Sequence, residues 1–242
     1  MKTVLWHLSV SKKPKETTDV KRNCRYLLLF SLLLLVCIPY AAAEGSATVG
    51  VGFGSSHVKS TGLGIYDATS TLAFEGCTPG SGNSDCLATP NLGGFFMGFG
   101  GDALPWDKFG FGFNISFLPA KGDYGPLQYR QTFYDFNGIF APINKSRAVL
   151  KLMAGIGGAK TNYSFDDTSC IGTAVCQKTT YPVGSSNHFQ FHAGVGIEIY
   201  VTRNIFIRPQ FDYRRVSNFT EQFGSNNVTG GMVWIGLRTG GN

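Results

Sequence analysis

HFQFHAGVGIEIYVTRNIFIRPQFDYRR, residues 188–215, decides how this chain folds. Phe189, Phe191, Ala193, Val195, Ile197, Ile199 and Val201 share one parity. His188, Gln190, His192, Gly194, Gly196, Glu198 and Tyr200 share the other. Side chains alternate across a β-strand, so the stretch has one apolar face and one polar or small face. After a short turn at Thr202-Arg203-Asn204 the alternation resumes. Ile205, Ile207, Pro209, Phe211 and Tyr213 now oppose Phe206, Arg208, Gln210, Asp212 and Arg214. Two such runs about a short polar turn make a long hairpin.

The same grammar recurs upstream and downstream. Ala47, Val49, Val51 and Phe53 oppose Thr48, Gly50, Gly52 and Gly54, and Phe95, Met97 and Phe99 oppose mainly glycines. Phe109, Phe111, Phe113, Ile115 and Phe117 oppose Gly110, Gly112, Asn114 and Ser116. Residues 128–140 alternate less cleanly, with Gln131, Asp135 and Asn137 on the polar parity. In 148–160, Leu150, Leu152, Ala154 and Ile156 oppose Lys151, Gly155 and Gly157. Last, Val233, Ile235 and Leu237 alternate with Met232, Trp234, Gly236 and Arg238. With the hairpin this gives eight segments, most about ten residues long, the length a tilted strand needs to cross a bilayer.

The intervening links are read as 59–92, 103–108, 119–127, 141–147, 162–187, 201–204 and 217–228. Odd-numbered links are longer than their even-numbered neighbours. That asymmetry is expected of a membrane barrel with long external loops at one end and short periplasmic turns at the other. The pattern predicts an all-β, antiparallel, up-and-down transmembrane barrel of eight strands.

Composition agrees. Charged residues are only 15% of the 242 and mean hydropathy is close to zero. Lipid-facing apolar and inward polar residues average out in this way. The formal charge of +6 is concentrated at the start. Seven of the 21 Lys and Arg and two of the 15 Asp and Glu lie in residues 1–43, which leaves 14 against 13 beyond. Such a balance implies no nucleic-acid partner.

Residues 1–43 read as a signal peptide with a long basic region: Lys21, Arg22 and Arg25, then the apolar block Tyr26–Pro39, then Ala41-Ala42-Ala43. The block falls short of the roughly 20 apolar residues a helical anchor requires. Cys37 at its end invites a lipoprotein reading, but Val36 stands where such signals carry a small residue. Residues 44–242 form the barrel domain. Four cysteines remain there, as the local pairs Cys77/Cys86 and Cys170/Cys176 in stretches rich in Gly, Ser, Thr, Asn and Asp. Export to an oxidising compartment favours two loop-pinning disulfides, local pairing costing least loop closure. A metal site is the alternative, with spacings wider than the usual zinc pattern and no His nearby.

On the inward parity lie Lys151, Glu198, Arg208, Asp212 and Arg214. An eight-stranded barrel is just wide enough for side chains to fill, so these charges are expected to pair, Glu198 with Arg208 first. They make a structural plug or, alternatively, a gated ion path or ligand site. Trp106, Tyr129, Tyr134, Tyr200, Tyr213 and Trp234 lie towards strand ends or turns, positions that suit interfacial aromatic girdles, with packing in the core as the alternative for some.

The unit Gly194–Arg215, a glycine-rich strand, a turn around Asn and a strand with inward Arg and acidic residues, resembles the small outer-membrane barrels of the OmpA/OmpW-like kind, over about Ser46 to Arg238. The resemblance implies a bacterial outer-membrane barrel inserted by the barrel-assembly machinery. It further implies outer-membrane lipid as its surroundings and a role in envelope integrity, adhesion or small-solute passage. Such barrels commonly end on an aromatic residue, whereas this chain ends Arg238-Thr239-Gly240-Gly241-Asn242.

No nucleotide loop, GxSxG or HExxH occurs, and the glycine-rich Gly50–Gly54 precedes no predicted helix. His188, His192 and Ser185 or Ser186 imitate a hydrolytic set without a base-and-orienter arrangement, so neither enzyme activity nor a cofactor is expected. Five Asn-x-Ser/Thr triplets, at Asn114, Asn144, Asn162, Asn218 and Asn227, are what an Asn- and Ser/Thr-rich chain yields by chance. Three functions stay open. One is a structural or surface-interaction barrel with a partner at loops 59–92 and 162–187. Another is a narrow channel or small-ligand barrel using the charged lumen. The third is a soluble secreted barrel with the faces inverted around an apolar ligand.

Overall fold

A computed structural model describes residues 45–60, 64–66, 76–77, 86–125, 127–171 and 175–240. The signal-peptide reading of residues 1–43 lies outside them. Eight long strands close into a ring: β1 (Ser46–His57), β5 (Phe95–Leu104), β6 (Phe109–Phe117), β8 (Leu127–Asn144), β9 (Ala148–Ile171), β10 (Val175–Tyr200), β11 (Ile205–Val216) and β12 (Asn227–Gly240). Each pairs antiparallel with its successor in that order, and β1 pairs with β12 from Ser46↔Gly240 to His57↔Thr229. Closure leaves no sheet edge within the ring. Three short strands, β2 (Gly64–Tyr66), β3 (Gly76–Cys77) and β4 (Cys86–Ala88), form a small separate sheet in the first long link. A further short strand, β7 (Gly122–Tyr124), pairs with β8.

The apolar parity faces out. Val51, Phe99, Phe111, Phe136, Ile156, Phe191, Ile197, Phe211 and Ile235 are all exposed, while Lys151, Glu198, Arg208, Asp212 and Arg214 are buried. Stacked aromatic pairs such as Phe53–Phe95 and Phe109–Phe140 run along the outer wall. An apolar band of this extent is far beyond what a soluble monomer presents to water. The inverted, soluble alternative is therefore overturned.

Strand lengths correct one expectation. Residues 162–171 and 175–187 are not an irregular loop: β9 and β10 stay paired from Ala148↔Ile199 to Ile171↔Val175, with one bulge between Pro182 and Gly184. β8 accompanies β9 only as far as Gln128↔Ser164, and β11 accompanies β10 only to Gln190↔Val216. The two strands thus project past the barrel mouth as a ribbon. Its Phe165, Tyr181 and Val183 are exposed, so no buried face imposes the alternation by which the transmembrane strands were legible.

The last long link holds a one-turn helix, α1 (Thr220–Phe223). Phe219 and Phe223, four residues apart, share a face and are fully buried, each worth about 1.5–3 kcal/mol by apolar burial. The Asn226 side chain accepts from the Thr220 N–H at 2.9 Å, and Gly224 ends the turn at φ 70°. Left-handed backbone there favours glycine.

Candidate functional site

Inward residues stack up the lumen in layers. Towards the short turns, Leu104, Ile139, Ala141, Val149 and Met153 form an apolar floor, whose Val149 and Met153 flank Lys151 along β9. Against it lies a quartet of charges. Lys151 Nζ stands 2.6 Å from Asp102 Oδ1 and 2.6 Å from Glu198 Oε1. Arg208 Nη1 stands 2.8 Å from Asp102 Oδ2 and 3.2 Å from Glu198 Oε1. Two cations and two carboxylates therefore alternate, so each charge meets two of the opposite sign. Tyr200 donates its hydroxyl to Glu198 Oε2 at 2.8 Å, and the Arg238 guanidinium lies 4.8 Å from the Tyr200 ring centre. Arg208 also lies 5.3 Å from the Trp234 ring, which packs with Phe206 and Met232. The indole occupies space above Gly52 and Gly98; a Cβ on either would come within 2.9 Å of it.

A second polar layer follows. Arg214 donates through Nη2 and Nε to Asp135 Oδ2 at 3.0 and 3.2 Å, and Gln190 donates to Asp135 Oδ1 at 2.6 Å. His192 joins the Asn137 side-chain amide at 2.6 Å to Asp212 Oδ1 at 2.8 Å, where Gln210 also donates. Thr161 donates to Gln131 at 2.6 Å. Arg214 reaches Asp212 only at 4.0 Å. The five lumen charges predicted from parity thus fall into two layers, because parity gives the face but not the height. Lys151, Glu198 and Arg208 meet around Asp102, a residue outside the five expected from parity. Asp212 is hydrogen-bonded to His192, and Arg214 pairs with Asp135.

An aromatic lid closes the other end. Val58, Leu92, Phe96, Leu118, Tyr124, Tyr129, Phe133, Tyr163, Phe219 and Phe223 pack as one buried cluster, and Tyr124 donates to the Gln222 carbonyl at 2.5 Å. Outside the lid, Lys121 lies 2.6 Å and Lys178 2.9 Å from Asp166, tying the β6–β8 link to the ribbon. Lys121 above all, with Thr180 and Lys178, holds the Asp166 carboxyl well below the usual carboxylate range. Burial pushes the Tyr124 phenol above its ordinary range.

The girdle expectation is corrected for three of its six members. Trp234 and Tyr129 are buried inside the barrel, and Tyr200 points inward to Glu198. The parity of β12 already placed Trp234 with Met232 and Arg238. Trp106, Tyr134 and Tyr213 are exposed. His188 and Ser186 both meet Gln222, and among the described residues no group of three His, Cys, Asp or Glu is placed to hold a metal. Cys176 is disulfide-bonded and stands opposite Cys170 in the ribbon's register. Cys77 and Cys86 lie on β3 and β4, with β2 between them. The side chains of Cys77, Cys86 and Cys170 lie outside the described residues.

Residues 28–237 match the model of a family described as the outer membrane protein beta-barrel domain. A search of curated proteins finds no match. Among solved structures the chain is similar in fold to Ail, the attachment invasion locus protein of Yersinia pestis. The two are 13% identical over 81% of this chain and 99% of that one, with TM-score 0.48. It is likewise similar to Neisserial surface protein A, 11% identical over 80% and 96%, TM-score 0.48. A major outer membrane protein of Thermus thermophilus is 11% identical over 81% and 99%, TM-score 0.48. The family match spans most of the chain and agrees with the eight-stranded ring and its apolar exterior. The chain belongs to the outer membrane protein β-barrel domain family and is an antiparallel barrel of the bacterial outer membrane.

Proposed function

We propose that this protein is a sealed barrel with a structural and surface-interaction role, carried out at its external end. One observation carries the reading: an apolar floor, charge-paired polar layers and an aromatic lid occupy the lumen, while the longest strands continue beyond the mouth as an exposed ribbon. A pore needs a continuous aqueous path. Here every inward charge of the lower quartet has an opposite charge within 3.2 Å, and the lid packs aromatic rings edge to face at the exit. The ribbon, pinned by the cysteine pair Cys170/Cys176 near its tip, is the surface offered to a partner, with residues 59–92 beside it in the sequence reading. The gated-channel alternative uses the same charges but requires the quartet to part.

Display is tested by trypsin treatment of intact cells. Lys178 sits on the ribbon with its side chain 62% exposed, so the reading expects cleavage there without lysis. Cleavage at Lys178 only after the cells are broken would place the ribbon on the other side and refute it.

A further inference from the structure

The three short turns at the floor end carry a concentration of charge that neither the lumen networks nor the ribbon uses. Residues 105–108, 145–147 and 201–204 hold Lys108, Lys145, Arg147 and Arg203, all exposed, against one acid, Asp107. Among the described residues none of these four cations meets a carboxylate. Asp107 is itself engaged, its carboxylate and carbonyl accepting from the Asn144 amide at 3.2 and 2.7 Å. The turns are also tied to neighbouring strands by backbone hydrogen bonds. Ala141 N–H donates to the Lys108 carbonyl at 2.7 Å, Tyr200 N–H to the Arg147 carbonyl at 3.1 Å, and Arg238 N–H to the Asn204 carbonyl at 2.7 Å. The cationic side chains therefore project from fixed backbone positions, which lowers the ordering cost of binding.

Directly beside them the wall is apolar and bare. Trp106 is 66% and Val201 64% exposed, and Phe109, stacked on Phe140, and Ile143 continue the surface. A ligand matching both parts must be an amphiphile, with an anionic head among the cations and hydrocarbon on this wall. A free anion or a polysaccharide would use only the first part. Short turns face the periplasm in barrels of this kind. We propose that the short-turn rim is a binding collar for the phosphate groups of anionic phospholipids in the periplasmic leaflet. Lys108, Lys145, Arg147 and Arg203 make the contacts, and Trp106 lies at the hydrocarbon boundary.

Trp106 is also the reporter. The full chain carrying Trp6→Phe and Trp234→Phe emits from Trp106 alone and is reconstituted in vesicles containing brominated phosphatidylglycerol or brominated phosphatidylcholine at equal mole fraction. The expected result is a preference of at least about threefold for phosphatidylglycerol in quenching, since several cations act near one headgroup. About 0.5 M salt should bring the ratio towards one. So should K108Q/K145Q/R147Q/R203Q, whereas R130Q/K160Q/R215Q, at the external end of the outer wall, should leave it unchanged. Equal quenching by the two lipids in the parent chain overturns the proposal, as does a preference that survives the quadruple substitution. If Trp234→Phe prevents folding, native mass spectrometry of the unaltered chain and the quadruple variant counts retained phosphatidylglycerol. Equal retention by the two would be equally fatal.

Discussion

Lys151→Met is the sharpest perturbation of the lumen. The ammonium is fully buried and bonded at 2.6 Å to both Asp102 and Glu198. Methionine keeps the length and removes the charge, leaving two carboxylates to share the single guanidinium of Arg208. Breaking a buried pair by removing one partner costs about 3–5 kcal/mol. Arg208, at 2.8 and 3.2 Å from the same two carboxylates, offsets part of this, so the lower end, about 3 kcal/mol, is expected. That is about a hundredfold in the folding equilibrium. Glu198→Gln alone leaves an excess cation and should also destabilise. Together, however, the two substitutions restore one carboxylate to one guanidinium. The double variant should therefore be more stable than the sum of the singles by about 2 kcal/mol, within the range found for residues of one network. Urea unfolding in lipid vesicles, followed by the heat-dependent gel shift of the folded barrel, measures all four corners of this cycle. Additive losses, or a Lys151→Met variant as stable as the parent, would refute a charge-balanced quartet.

Three further outcomes follow from other layers of the molecule. Gly52→Ala places a Cβ within 2.9 Å of the Trp234 indole and should cost about 1–3 kcal/mol by overpacking; combining it with Trp234→Leu should recover part of that loss in the same unfolding assay. Phe191→Arg puts a charge on the lipid face and should destabilise by about 2–4 kcal/mol if the residue lies near the bilayer centre, whereas Arg at the exposed Asn187 on the ribbon should change little. Asp166 has its folded carboxyl held well below the ordinary value of about 3.9, so the link it makes is fully present above that pH and weakens as pH falls below it. Hydrogen exchange should show residues 121 and 164–180 losing protection selectively on acidification from pH about 5 to about 3, with the barrel strands unaffected. Uniform loss across the chain would contradict a local clasp.

The barrel was legible because lipid and a narrow lumen impose opposite demands on alternate residues. Phe189 to Val201 states that demand almost without exception, and the orientation follows once the faces are assigned. Three things escaped. The ribbon did, because beyond the membrane neither face of β9 or β10 is buried, and its Ser, Thr, Asp and Gly content reads as loop. Asp102 did, because Gly100 and Gly101 interrupt the clear alternation of Phe95, Met97 and Phe99, although the same parity predicts an inward acid at the end of the strand. Trp234, Tyr129 and Tyr200 lie close to strand ends, where aromatic girdles are expected, while their parity points inward. In each of these three the aromatic character suits both settings. Which charges pair with which follows from strand stagger around the ring, a property of the whole closed sheet that no single hairpin encodes.

Sealing of the lumen is the central claim, and single-channel recording in planar lipid bilayers tests it most directly. The folded chain should insert without producing discrete conductance steps, at low and high voltage alike. Reproducible steps from the unaltered protein, changed in size by Glu198→Gln, would contradict it and assign the charge quartet to a working gate.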